Sequence, residues 1–431
     1  WYGVRIQGSN ITATNGSIIL TGNSTNGTGL QLNDTNTLNA TNGSIKLTGN
    51  STNGTGIDLQ GTNTLTATGG AISFNGTSGK SRGINICGTS NMTATAINLT
   101  GSSTGAEGID INGSSTLTAT SGNISLNGTA QSKWYGVRIQ GSNITATNGS
   151  ISLTGNSTNG MGLKLNGTNT LNASTGSINM NGASVENTGI DFTGNNTLTA
   201  SSINLTGSST NGTGTSLTGN SSWDATSITI TGSSSHDAQN IEEAAKGVHL
   251  IGDLTFTGNV AINGTAMAGA GVGLGAKVNL TFNNGTAVIN GTSNSFPPDD
   301  PIYSAGIADI VYYGDDSTKN ITLMNSDLTI DGHSQNAPGI GGWNESGVET
   351  KWNIFGYGNV TINASSVECD GLKNVSINAS GLNGTTTLHG TSTNGSGVNL
   401  HSMTMTNVTI SGSATGNGSG VGISGDSTLN N

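Results

Sequence analysis

Nine alanines recur at nearly even intervals along this chain: Ala13, Ala40, Ala67, Ala94, Ala119, Ala146, Ala173, Ala200 and Ala225. Two residues before each stands a larger apolar side chain, running from Ile11, Leu38 and Leu65 to Leu198 and Trp223. A spacing of roughly 25 to 28 residues is that of a solenoid in which each repeat is one coil. Within the coil from Gly29 to Asn53, three five-residue stretches alternate apolar and polar side chains: Gly29–Asn33, Thr37–Thr41 and Ser44–Thr48. Period-2 alternation marks a strand with one buried face. Asn, Gly and Thr between the stretches supply turn chemistry. Each coil therefore sends six apolar side chains inward, here Leu30, Leu32, Leu38, Ala40, Ile45 and Leu47.

The expected fold is all-β, a single-stranded parallel β-helix with three strands per coil and about 16 coils of strand spacing, giving a rod roughly 75 Å long. A glycine column follows the third strand (Gly22, Gly49, Gly76, Gly101, Gly128, Gly155, Gly182, Gly207). It suits a corner that needs positive φ or close backbone approach. The block WYGVRIQGSNITATNGSI at Trp1–Ile18 returns unchanged at Trp134–Ile151. That offset is five whole coils, which preserves the stack.

Composition alone would read as disorder, because the chain is only 8% charged and 4% aromatic. The regular apolar columns argue otherwise. A net charge of −11 with no basic cluster sets nucleic-acid binding aside. No apolar run is long enough to span a membrane as a helix. The chain opens mid-repeat at Trp1 without a leader, which suggests a segment of a longer protein. Some ten coils would hold Cys87 and Cys369 roughly 50 Å apart, too far for a disulfide, so both are expected as free thiols.

The expected organisation is one continuous β-helix over 1–431: regular coils of about 26 residues over 1–235, irregular coils with loop excursions over 236–358, and regular coils again over 359–431. The stretch from His236 to Val248 could form a helical turn. From Ser293 to Gly358 lie all four prolines (Pro297, Pro298, Pro301, Pro338), eight aromatics and many acidic residues, among them the pairs Asp299-Asp300 and Asp315-Asp316. Long excursions on a uniform scaffold are natural places for recognition. Aromatic faces stack on sugar rings, and Asp and Asn accept from or donate to hydroxyls. The candidate ligand-binding residues are therefore Tyr312, Tyr313, Trp343, Asn344, Lys351, Trp352 and Tyr357. The plain alternative is that these loops cover a distortion in the helix and their aromatics pack locally. A second candidate is the outward column Arg5, Gln31, Asp58, Asn85, Asp110, Arg138, Lys164 and Asp191, beside Trp134 and Tyr135. Its plain alternative is a solvated face.

Asn-x-Ser/Thr occurs some 38 times, more than twice what random pairing of this composition gives. Examples are Asn10, Asn26, Asn53, Asn75, Asn166, Asn211, Asn284, Asn383 and Asn417. Asn-Gly-Thr is also good turn chemistry, but so many acceptors would invite heavy N-glycosylation.

These Asn-, Thr- and Gly-rich coils, the WYGVRIQGSNITATNGSI block and the sequons resemble the high-molecular-weight (HMW) adhesins, over essentially the whole chain. Those are large surface proteins of a Gram-negative respiratory pathogen, exported by two-partner secretion, and filamentous haemagglutinin-like proteins share their architecture. The resemblance implies the right-handed winding and export through a dedicated outer-membrane pore. It implies a bacterial cell-surface location and attachment to sialylated glycans on host epithelium. It further implies hexoses added to sequon asparagines by a cytoplasmic N-glycosyltransferase. The secretion-domain motifs are absent, so the match is to an internal binding segment, and it implies neither enzyme activity nor a cofactor.

Two other functions compete. A β-helix polysaccharide lyase or glycosidase needs converging carboxylates or a metal cluster. The adjacent acidic pairs point to opposite faces of a strand. The five histidines, His236, His249, His333, His389 and His401, lack metal spacing. An ice-binding or passive structural rod is suggested by outward Thr-x-Thr runs such as Thr64–Thr68, but Asn39 and Asn172 interrupt the threonine column.

Overall fold

A computed structural model describes residues 1–236, 245–294, 305–309, 318–342, 350–425 and 427–430. The chain is an all-β parallel solenoid of about 14 turns, with no helix among the described residues. Two compact units divide it, Trp1–Thr206 and Gly207–Asn431.

In the first unit, strands of successive early coils stack on one another in parallel. Leu30–Asn33, Thr35–Ala40 and Ile45–Ser51 pair in parallel with Ile57–Leu59, Thr62–Ala67 and Ile72–Ser78 of the next coil. Like side chains fall in register: Leu38 on Leu65, Leu47 on Phe74, Gly49 on Gly76. All six apolar side chains of this coil are fully buried, and Ala67, Ala94, Ala119, Ala146 and Ala173 are at most 1% exposed. The alanine column is thus a packing column at a narrow corner.

The glycine column answers to close approach. A Cβ on Gly101 would run into the carbonyl oxygen of Gly108 and reach Ile109 Cγ1 at 2.7 Å. Positive φ belongs to a different set at the turn between the first two strands, including Gly61, Gly88, Gly113 and Gly167, with Asp34 taking that conformation in one coil.

A serine column, not singled out by the sequence pattern, closes the corner after the third strand. Ser184 Oγ donates to Gly160 O at 2.6 Å and accepts the Asn187 N–H at 2.9 Å. Ser157 does the same with Trp134 O and the Gly160 N–H, and Ser51 with Gly27 O and the Gly54 N–H. One hydroxyl therefore satisfies a turn amide of its own coil and a carbonyl of the coil before, groups that burial would otherwise leave unpaired. A buried asparagine column does similar work at the next corner, where Asn36 Nδ2 donates to Asn63 Oδ1 at 3.0 Å and to Asn33 O at 2.8 Å.

In the earlier coils of the second unit the second and third strands run together, as in Ser221–Ser234, Asp253–Ala266 and Thr318–Ser334, while from Thr350 on they are separate again. The four-residue corner of early coils, Thr41–Ser44, shrinks to Thr226-Ser227 between Ala225 and Ile228, and a register shift there lets the extended chain turn without a separate loop. Core volume is taken up by an aromatic stack: Trp223 edge-on to Phe256 at 5.4 Å, and Phe256 stacked on Phe282 at 5.8 Å.

Insertions lengthen coils here. Residues hydrogen-bonded one coil apart are separated by 33, 41 and 32 positions at Asn220–Asp253, Asn279–Asn320 and Asp327–Asn359. The stacking nevertheless continues through the stretch expected to be irregular. Val248–Ile251, Asn279–Ser293 and Thr350–Tyr357 all pair in parallel with their neighbours. The helical turn expected near His236–Val248 falls mostly on residues outside those described.

His249 occupies the outward position of Val248–Ile251, half-buried between Ser216 and Gly273 of adjacent coils. Burial, reinforced by the charge of Lys246, pushes its pKa from 6.5 down to about 3. Between those values the unfolded chain takes up a proton that the folded chain refuses. Stability is therefore complete above pH 6.5 and falls on acidification toward 3. At pH 5 the loss from this group is about 2 kcal/mol. His249→Gln should remove that component, so parallel urea titrations at pH 7.5 and 5 are expected to differ less for the variant than for the parent.

Candidate functional site

Strand alternation decides which side chains of Thr350–Tyr357 can meet a ligand. Thr350, Trp352 and Ile354 point into the core, while Lys351, Asn353, Phe355 and Tyr357 point outward. Trp352 is fully buried. This corrects its assignment as a sugar-stacking residue: its place in the alternation commits the indole to the core, in register with Lys319 and Ile377.

The exposed aromatics of this strand are Phe355 and Tyr357, 38% and 62% exposed, and Met324, 52% exposed, lies beside Tyr357 in register. Phe355 lies over Gly381 of the next coil, where an added Cβ would approach Cδ1 of the ring to 2.9 Å. A glycine at that position lets the ring rest on backbone, leaving its outer face to solvent. Phe355, Met324 and Asn353 were not among the sequence candidates. The signal that could have found Phe355 and Asn353 is parity, since Trp352 and Ile354 form the apolar half of the alternation.

Next to the aromatics runs an outward column of amides, Asn279, Asn320, Asn353 and Asn378, joined coil to coil by side-chain hydrogen bonds. Lys351, Asn353, Ser376, Asn378, Ser402 and Thr404 border a groove of about 200 Å³ on this face. Of the sequence candidates, Lys351 and Tyr357 both lie on the outward face of this strand, six residues apart. Tyr312, Tyr313, Trp343 and Asn344 lie outside the described residues, as do the pairs Asp299-Asp300 and Asp315-Asp316.

A second polar groove on the third-strand face is bordered by Asn290, Asp331, His333, Asn363, Ser365 and His389. Asn363 Nδ2 donates to Asp331 Oδ1 at 2.6 Å, and His333 Nδ1 meets Ser365 Oγ at 2.9 Å. The two histidines are far apart in sequence and share a groove only because the coils stack. No group of three or more His, Cys, Asp or Glu among the described residues could hold a metal ion.

The other sequence candidate, the outward column of the first unit, is exposed at Arg5 and at the neighbouring Trp134 but largely covered in the coils after the first. Gln31, Asp58, Asn85, Asp110 and Asp191 are between 1% and 7% exposed. Asp110 accepts from Arg138 Nε and Nη2 at 2.8 and 2.9 Å and pairs with Arg82 Nε at 3.0 Å. Arg82 also pairs with Glu107 at 3.1 Å, and Lys164 with Asp191 at 2.7 Å. Burial opposes the charge on Arg138, but the hydrogen bonds and charge of Asp110, helped by Glu107, outweigh it and hold the guanidinium above its ordinary pKa. Tyr135 lies between Arg138 and Lys164, 5.8 and 5.7 Å from its ring centroid, with Trp134 edge-on at 6.3 Å. Arg82, Arg138 and Lys164 balance Glu107, Asp110 and Asp191, so from Asp110 on the column's charges are paired, while Asp58 is held by the amides of Gln31, Gln60 and Asn85. Its chemistry is that of a covering for the short first strands.

Cys87 and Cys369 are free thiols, both half-buried. Burial, with Asp58 beside it, raises the Cys87 pKa, and burial also raises that of Cys369. Neither is poised as a nucleophile. Of the nine sequon asparagines named above, eight are exposed and Asn166 is half-buried.

No family model and no curated protein matches this sequence.

Proposed function

We propose that this chain is a binding segment of a bacterial surface adhesin of the HMW type, attaching to glycans on host epithelial cells. The observation that carries the reading is the outward face of Thr350–Tyr357. There Phe355 and Tyr357 expose ring faces beside a fixed column of amides and Lys351, in a chain that is only 4% aromatic. Rings of this kind stack on the apolar face of a sugar, amides satisfy its hydroxyls, and Lys351 offers a cation to the carboxylate of a sialylated one. Exposed sequons along the coils support modification by a cytoplasmic N-glycosyltransferase. Export through an outer-membrane two-partner pore, display at the cell surface and a right-handed winding with three faces per coil belong to the same reading.

The test is attachment of the purified chain to epithelial cells and to a glycan array. Phe355→Ala with Tyr357→Ala should lower attachment by about five- to a hundredfold, because each lost stacking contact is worth about 0.5–1.5 kcal/mol beyond area burial. The far-ultraviolet spectrum should not change, since both rings sit outside the core. Unaltered attachment by the double variant would move the site off this face. A parent chain that binds neither cells nor any glycan would end the adhesin reading.

A further inference from the structure

The amide column of the second unit has a direction. Asn279 donates through Nδ2 to Asp253 Oδ1 at 2.5 Å, Asn320 to Asn279 Oδ1 at 2.8 Å, Asn353 to Asn320 Oδ1 at 3.1 Å, and Asn378 to Asn353 Oδ1 at 3.4 Å. Every bond points the same way, and the column ends on a carboxylate, which when ionised only accepts. At the other end Asn378 Oδ1 takes the N–H and the hydroxyl of Ser380 at 3.2 and 2.8 Å. The side chains are locked before any ligand arrives, so binding to them costs little rotamer entropy.

A primary amide has two N–H groups and two lone pairs. Asn320 and Asn353 each use one of each within the column, and each is half-buried rather than covered. One donor and one acceptor per amide are left for a ligand, repeating at the strand spacing of about 4.8 Å. The adjoining groove follows the same direction. Its rim passes from Lys351 and Asn353 to Ser376 and Asn378 and on to Ser402 and Thr404, which lie on three successive coils.

A ligand that fits this surface needs a donor–acceptor pair repeating at nearly the same interval. Vicinal hydroxyls on successive pyranose rings of an extended chain provide it, since each hydroxyl both donates and accepts. We infer that the ligand is an extended, linear oligosaccharide laid from coil to coil along this column, one sugar ring to each coil, with Phe355 and Tyr357 flanking the chain. The inference rests on the glycan-binding reading above and adds what that reading leaves open: recognition of a run of sugars instead of a single terminal one.

The experiment uses the full chain, produced without a sequon-modifying enzyme, on an array that holds linear glycans of increasing length and short glycans that differ only in the terminal sugar. Affinity is expected to rise by about tenfold per added ring over the first two or three rings, as two further hydrogen bonds form at each step. Asn353→Ala and Asn320→Ala should flatten that dependence, while Asn50→Ala, in an amide column of the first unit, should leave it intact. Circular dichroism on each variant checks that the fold persists. Binding set by the terminal sugar and indifferent to length would overturn this inference and leave the adhesin reading standing. Binding to no glycan at all would overturn both.

Discussion

Asp110→Ala is expected to destabilise the first unit by about 3 kcal/mol, the lower end of what breaking a buried ion pair costs. Asp110 is 1% exposed and receives three guanidinium contacts within 3.0 Å, two from Arg138 and one from Arg82. Its removal leaves Arg138, whose side chain is only 17% exposed, facing a void with its charge unmatched. The lower end of the range applies because the Arg82 side chain, 36% exposed, can turn to water. The measurement is the urea midpoint of the parent, Asp110→Ala, Arg138→Met and the double variant. A positive coupling energy of 1 kcal/mol or more, on the order found for contacting groups, supports a closed network. Additive effects would mean that the two charges are independently solvated. The same variants should bind glycan as the parent does, because the column is a cover and not a site.

Trp352→Ala is expected to cost about 3–5 kcal/mol, the range for emptying a core site of a large aromatic. Its neighbour in the same strand behaves differently. Phe355→Ala removes a ring that is 38% exposed and rests on glycine backbone, so its stability loss should stay near 1 kcal/mol or below. The pair separates packing from recognition within four residues. Thermal melts should show a large drop for Trp352→Ala and a small one for Phe355→Ala, with loss of attachment at constant fold confined to the second. A reversal of that order would place the alternation of Thr350–Tyr357 one residue out of register.

The sequence made the solenoid legible because the same inward positions recur in every coil. Ile or Leu two residues before Ala, flanked by turn residues, can bury one face only if successive coils stack. Leu38, Leu65 and Met92 do so, each fully buried. It also carried the unbridged state of Cys87 and Cys369 and the strand alternation itself. The candidate site was legible only in part. Lys351 and Tyr357 were found by residue type, Trp352 was misassigned by residue type, and Phe355 was passed over although alternation from Ile354 places it outward.

What the chain alone determined is the repeat: which side chains face in, where corners fall, and that strands must pair from one coil to the next. What the tertiary structure decided is which outward side chains are still outward once neighbours are in place. Asp58 and Asp110 read as surface charges in sequence and become buried when partners from adjacent coils close over them. Asn320, Asn353 and Asn378 lie 33 and 25 positions apart in the chain and become one directed column. Alternation is a local property of the backbone, whereas exposure depends on the lengths of the coils above and below, and those lengths set neighbours only after the chain has wound.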